Sequence, residues 1–145
     1  MFDQLASSWA TQRSPGHYDA LDAALAAVPS SRRRLLDLGS GTGAATTVLA
    51  ERWPEAEVVG VDVSPGMVAE ARRRLPSELA GRVRFELGDA ASLPFGDEAF
   101  ELVLLANMIP FFDELDRVLA PDGHLVFFAS LGARTPMYVP PERLR

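Results

Sequence analysis

Between Leu35 and Gly43 a short apolar run, Leu35-Leu36-Asp37-Leu38, passes through three glycines, Gly39, Gly41 and Gly43, into an Ala- and Leu-rich stretch at 44–52. Glycine tolerates positive φ, and with no Cβ it lets another group come close to the backbone. A strand, a glycine turn and a helix in immediate succession place the first amides of that helix at the turn, ready for a polar or anionic group. Trp53-Pro54 stops the helix. A chain that opens this way is committed to packing a helix back across its strand.

The remaining segments extend that pattern. Leu21, Leu25 and Val28 fall at i, i+4 and i+7, which predicts a short amphipathic helix over 20–28, closed by Pro29. Val58-Val59-Gly60-Val61-Asp62 reads as a β-branched strand. Ser64 then stands as N-cap before Pro65, opening a helix to about Leu75. Val83 to Leu87 alternates apolar and charged residues, as a strand at a sheet edge does. Phe100 to Leu105 is a fourth strand. Phe111 to Leu119 is expected as a helix with Phe112, Leu115 and Leu119 on one side, followed by a turn at Pro121-Asp122-Gly123. Leu125 to Ala129 is a fifth strand, apolar throughout. With no hairpin signal between strands, the order implies an α/β three-layer αβα sandwich on a mainly parallel, doubly wound sheet of strand order 3-2-1-4-5. Ligands of such sheets bind beyond the carboxyl ends of the strands.

Composition narrows the function classes. The 145 residues, 48% hydrophobic and 23% charged, suit one domain with a real core. No apolar run approaches the roughly 18 residues of a membrane span. Residues 1–30 carry Asp3, Asp19 and Asp22 and do not resemble a signal peptide. The expectation is a cytoplasmic protein with no membrane partner. There are no cysteines, and the two histidines, His17 and His124, lack metal-binding spacing, so no metal is expected. Fourteen basic against twenty acidic residues, net charge −6, speak against a nucleic-acid partner. The triplets Arg32-Arg33-Arg34 and Arg72-Arg73-Arg74 read as solvated charged faces.

The residues that follow each strand carry the functional signal. Gly39-x-Gly41-x-x-Ala44 also fits a dinucleotide turn, so taken alone it admits an NAD(P)-binding oxidoreductase. Asp62, about twenty residues beyond the turn, can accept hydrogen bonds from both hydroxyls of a ribose; an N-cap or loop role is the alternative. Asp89, in Gly88-Asp89-Ala90, could receive an adenine amino group, and an Asx turn accounts for it equally well. Asn107 ends the fourth strand.

Taken in order, Leu35-Leu36-Asp37-Leu38-Gly39-Ser40-Gly41-Thr42-Gly43, Val58-Val59-Gly60-Val61-Asp62-Val63-Ser64, Phe85-Glu86-Leu87-Gly88-Asp89-Ala90 and Arg117-Val118-Leu119-Ala120-Pro121-Asp122-Gly123-His124-Leu125 resemble the class I S-adenosylmethionine-dependent methyltransferases. The resemblance covers nearly all of Leu35 to Ser130. It implies a Rossmann-like fold and S-adenosylmethionine as cofactor, with S-adenosylhomocysteine as product. It places Asp37, Gly39, Ser40, Gly41, Thr42 and Gly43 around the methionine portion and Asp62 at the ribose. Asp89 and Ala90 would frame the adenine, Val63 or Met67 would pack on its ring, and Asn107 and Met108 would lie near the reacting end. An acid two residues before the first glycine favours a sulfonium cofactor, since a pyrophosphate gains nothing from a nearby carboxylate.

Methyl transfer needs alignment more than acid–base chemistry, and no catalytic group is assigned; Asn107, His17 and Tyr18 are candidates. Residues 9–18, with Trp9, resemble the lid that small-molecule members fold over the cofactor. Asn107-Met108-Ile109-Pro110-Phe111 lacks the middle prolines of the amino-methylating motif, so no nucleic-acid base or amide acceptor is assigned from it; the expected acceptor is a small molecule. The whole chain, 1–145, is read as one cofactor-binding domain: 1–30 lid and helix, 31–130 core, 131–145 tail. Members of the family continue past the fifth strand with a helix and an antiparallel strand pair. Without them, so apolar a strand is an unprotected edge. The expectation is a truncated chain that binds cofactor and turns over poorly, with a homodimer covering that edge as the alternative. A non-catalytic cofactor-binding module is the remaining rival.

Overall fold

Side chains alternate across each strand, so the apolar residues of a doubly covered sheet must sort onto two faces. In the computed structural model, which describes residues 19–106 and 111–128, they do. The elements run α1 (Asp19–Leu25), β1 (Arg34–Leu38), α2 (Ala44–Arg52), β2 (Glu57–Asp62), α3 (Pro65–Arg74), a 3₁₀ turn (Ser77–Leu79), β3 (Val83–Leu87), β4 (Phe100–Ala106), α4 (Phe112–Val118) and β5 (Leu119–Phe128). Leu35, Val58, Leu102 and Leu104 face a cluster completed by Leu21 and Leu25 of α1, Leu49 of α2, and Val68 and Ala71 of α3. Their neighbours Leu36, Leu38, Val59, Val61, Val103 and Leu105 face the other way, against Leu115 and Val118 of α4 and Leu93 of the β3–β4 loop. Each such side chain removed from water contributes about 1.5–3 kcal/mol.

Every strand pairing is parallel, and the order is β3-β2-β1-β4-β5, as the sequence implies. The chain winds outward from β1 to β3, then returns to the far side of β1 as β4. That reversal puts the switch point at the carboxyl end of β1. β3 is an edge strand, as its alternating pattern predicts. Among the described residues β5 pairs with β4 alone, and Leu125 on it is 41% exposed. No helix among the described residues is long and apolar enough to cross a membrane.

Three local expectations need correction. Pro121-Asp122-Gly123 is not a turn between α4 and β5. Pairing with β4 already begins at Leu119, opposite Phe100, and resumes at His124, opposite Leu102, so the four residues Ala120 to Gly123 bow out of the strand opposite Glu101 as an enlarged bulge. On α4, Phe112 is exposed while Leu115 and Val118 are buried, which rotates the packed face away from the one expected. Arg32 is not part of a solvated face. It is buried, with its guanidinium donating to Asp122 Oδ2 (3.2 Å) and Asp122 O (2.6 Å) and lying 3.0 Å from His124 Nδ1. Arg72 stays on an exposed face as expected, and from there donates twice to the Phe85 carbonyl on the edge strand.

Candidate functional site

Gly39, Gly41 and Gly43 all adopt positive φ, at 72°, 56° and 90°, a run that L side chains rarely sustain. The glycine requirement differs between them. A Cβ on Gly41 would meet nothing within 4 Å, so only its backbone angle demands glycine, and it borders open space. A Cβ on Gly43 would stand 2.6 Å from the Phe85 ring, and one on Gly60 of β2 would meet the same ring at 2.6 Å. Phe85 thus fills the room that the two glycines leave between α2 and the sheet. A shallow cleft of about 130 Å³ beside the turn is lined by Thr42, Gly43, Ala44, Thr47, Ala71 and Phe85.

The amides of the turn are largely engaged within the protein. Gly39 N and Ser40 N both donate to Val61 O, at 2.8 and 3.1 Å, and Gly43 N donates to Ser40 O. Gly41 N donates to Asp62 Oδ2 at 2.9 Å. The other carboxylate oxygen of Asp62 accepts from Ser64 N at 2.9 Å. A pyrophosphate group needs donors at this turn; here it would find all four of these amides taken. A carboxylate has about four lone-pair positions, so Asp62 retains acceptor capacity for hydroxyls after serving both amides. The committed amides therefore oppose the dinucleotide alternative, while Asp62 suits the ribose of either ligand.

Asp37 is wholly buried, and its Oδ2 accepts from Thr46 Oγ1 of α2 at 2.7 Å. Its carboxylate ties β1 to the helix that follows the turn. Ser64 caps α3 as expected, accepting from Met67 N at 3.2 Å. Val63 is 69% exposed at the end of β2, whereas Met67 is only 4% exposed. Thr42 and Ser40 are buried in the turn.

At the end of β3, Gly88 N donates to Asp62 O, which joins the third strand end to the second. Asp89 adopts the Asx turn that the sequence left open, its Oδ1 accepting from Ala91 N at 2.8 Å. Ala90 is half-buried beside it. The structure thus gathers the glycine turn, Asp62, Val63 and the Gly88–Ala90 segment at neighbouring strand ends. Asn107, Met108, His17, Tyr18 and Trp9 lie outside the described residues.

Sequence reasoning missed a hub that holds this region together. Arg117 of α4 donates to Glu114 through Nε (2.7 Å) and Nη2 (2.9 Å), to Phe95 O (2.7 Å), to Leu93 O (3.0 Å) and to Asp97 Oδ1 (3.1 Å). Glu114 also accepts from Leu93 N at 2.7 Å. The Arg117 guanidinium, with the Leu93 amide second, holds the Glu114 carboxyl down at about 2. In the sequence Arg117 opens the segment 117–125 that carries the resemblance, but its pairing with Glu114 reads only as an acid–base pair at i, i+3 on a helix surface.

Residues 35–123 match a family described as a methyltransferase domain. The demethylmenaquinone methyltransferase of Thermus thermophilus is 47% identical over 115 residues, spanning 74% of this chain and 50% of that protein. The trans-aconitate 2-methyltransferase of Methylobacterium nodulans is 45% identical over 111 residues, spanning 70% of this chain and 40% of that protein. Among solved structures, a chain in the complex of the Haloferax volcanii Trm112 methyltransferase activator with a methyltransferase superposes with a TM-score of 0.74 at 27% identity, covering 86% of this chain and 57% of that one. The chain spans about half or less of the length of these curated relatives.

Proposed function

Because this chain belongs to the class I S-adenosylmethionine-dependent methyltransferases, we propose that it binds S-adenosylmethionine at the ends of β1, β2 and β3 and methylates a small-molecule acceptor. The observation that carries the reading is the Asp62 carboxylate, fixed by Gly41 N and Ser64 N at the strand end beside the turn. Bound there, the cofactor supplies an activated methyl group on a sulfonium. The protein's own share is orientation and exclusion of water. Asp62 would accept from the ribose hydroxyls with a carboxylate already aimed by two amides. Gly41 would leave the turn open to the methionine portion, while Asp37 acts at one remove by fixing α2 against β1. Val63, the exposed member of the expected pair, would give the ring its apolar floor. The names of the relatives, acting on a quinone precursor and on aconitate, favour a small acceptor over a macromolecule.

The test is calorimetric titration of the chain with S-adenosylhomocysteine and, separately, NADH. The first should bind and the second should not. Asp62→Ala should weaken S-adenosylhomocysteine by about 1–3 kcal/mol, the cost of leaving buried hydroxyls without acceptors. Tight NADH binding with no response to S-adenosylhomocysteine would overturn the reading.

A further inference from the structure

We propose that Arg117, paired with Glu114, is a positioning residue for cofactor recognition: it holds the β3–β4 loop so that Asp89 and Ala90 meet the adenine edge. The proposal rests on the cofactor site described above and adds to it a residue on the opposite layer of the fold. Between β3 and β4 the chain runs from Gly88 to Ala99 with a single isolated bridge, Asp89 to Ser92, and no helix. A loop that long must find hydrogen-bond partners outside regular structure or stay mobile. Here one side chain serves three of its acceptors, Leu93 O, Phe95 O and Asp97 Oδ1. A guanidinium has five N–H donors in a rigid plane, and each of the five on Arg117 meets an acceptor: Glu114 twice, then Leu93 O, Phe95 O and Asp97 Oδ1.

The arrangement clamps the loop at both ends. At the start, Gly88 N is held by Asp62 O of the neighbouring strand. At Leu93 both backbone groups are held by α4, the amide by Glu114 and the carbonyl by Arg117. Asp89 and Ala90 lie in the short span between these fixed points, where the Asx turn sets the carboxylate direction. Further along, Glu98 N donates to Arg117 O at 2.7 Å, so the backbone of the same residue secures the loop's return into β4. The Leu93 side chain, buried in the core with Leu115 and Val118, gives the clamp its apolar seat. Releasing the fork would leave the core contact but free the segment that faces the purine.

The experiment compares S-adenosylhomocysteine with S-inosylhomocysteine, which carries an oxo group in place of the adenine amino group. Both are titrated into the full chain and into Arg117→Met. The unmodified chain should prefer the adenosyl ligand by tenfold or more, and in Arg117→Met that ratio should collapse toward one. Amide exchange over 88–98 should rise, while β1 and β2 stay protected. A merely structural role would weaken both ligands equally and leave the ratio intact. Arg117→Lys keeps the charge without the planar fork and should give an intermediate ratio; it carries the test if the methionine variant does not fold. A ratio near one in the unmodified chain, or one unchanged in the variants, overturns the positioning role alone. Failure of the unmodified chain to bind S-adenosylhomocysteine overturns the cofactor reading and this role together.

Discussion

The ring of Phe85 lies 2.6 Å from where a Cβ would stand on Gly60 and at the same distance from one on Gly43. One aromatic side chain on the edge strand therefore decides what two other positions can hold. Gly60→Ala should lower stability by about 1–3 kcal/mol, the usual cost of forcing an extra carbon into a packed core. Replacing the ring as well, in Gly60→Ala with Phe85→Leu, should recover part of that loss. A double-mutant cycle by urea denaturation measures the coupling. Strict additivity would mean that the ring and the glycine do not compete for the same space. The sequence discloses the glycine at 43 through the turn pattern. It does not disclose Gly60, which sits in a β-branched run where only a neighbouring strand supplies the reason. Asp37 shows the same limit: its place before the glycines is plain, but its bond to Thr46 depends on how α2 docks.

At the scale of elements, β1, α2, β2, α3 and β3 were readable because each begins and ends on a local signal: a glycine turn, a Ser-Pro cap, a β-branched run. β5 was not. Pro-Asp-Gly is turn chemistry, and locally it is right. Parallel pairing with Phe100 nonetheless draws Leu119 into the sheet first, so the same residues become a bulge inside the strand. Arg32 holds that bulge from across the sheet. With the guanidinium gone, Asp122 O and Asp122 Oδ2 lose their donor. Arg32→Met should speed amide exchange over 119–124 well before it affects β1 to β3. Hydrogen exchange followed by mass spectrometry reads this directly, and uniform exchange across the sheet would show that Arg32 only adds to global stability. Its burial could not be foreseen from three consecutive arginines, since neighbours in sequence share composition but not partners.

At the scale of the whole molecule, the two most perturbed carboxylates among the described residues sit on different layers. Glu70 of α3 is held at about 2 by hydrogen bonds from Arg73 and then Arg74, and Glu114 of α4 at about 2 by Arg117 and then the Leu93 amide. A carboxyl whose folded value lies below its ordinary 4.5 contributes its full stabilisation above that value and loses it as the pH falls toward 2. The melting temperature should accordingly fall between about pH 4.5 and 2. In Glu114→Gln the fall should be shallower, because one of the two linked protonations is gone. Added salt should flatten the Glu70 share more, its partners being open to water. Equal steepness in variant and parent would show that the Glu114 pair does not contribute.

The topology and the strand-end residues were thus legible, while the clamps that lock layers together were not. Arg117, Arg32 and Phe85 reach partners over sequence separations of 20 to 92 residues that no local pattern encodes.

The engagement of the turn amides by Val61 O and Asp62 also bears on competition inside a cell. Most molecules that carry an adenosine there carry a phosphate chain on it. A turn whose donors are already committed offers those phosphates no compensating bonds. A ligand that asks for no amide there loses nothing. Discrimination would then begin with the donors of a single turn, before any part of the acceptor pocket is engaged.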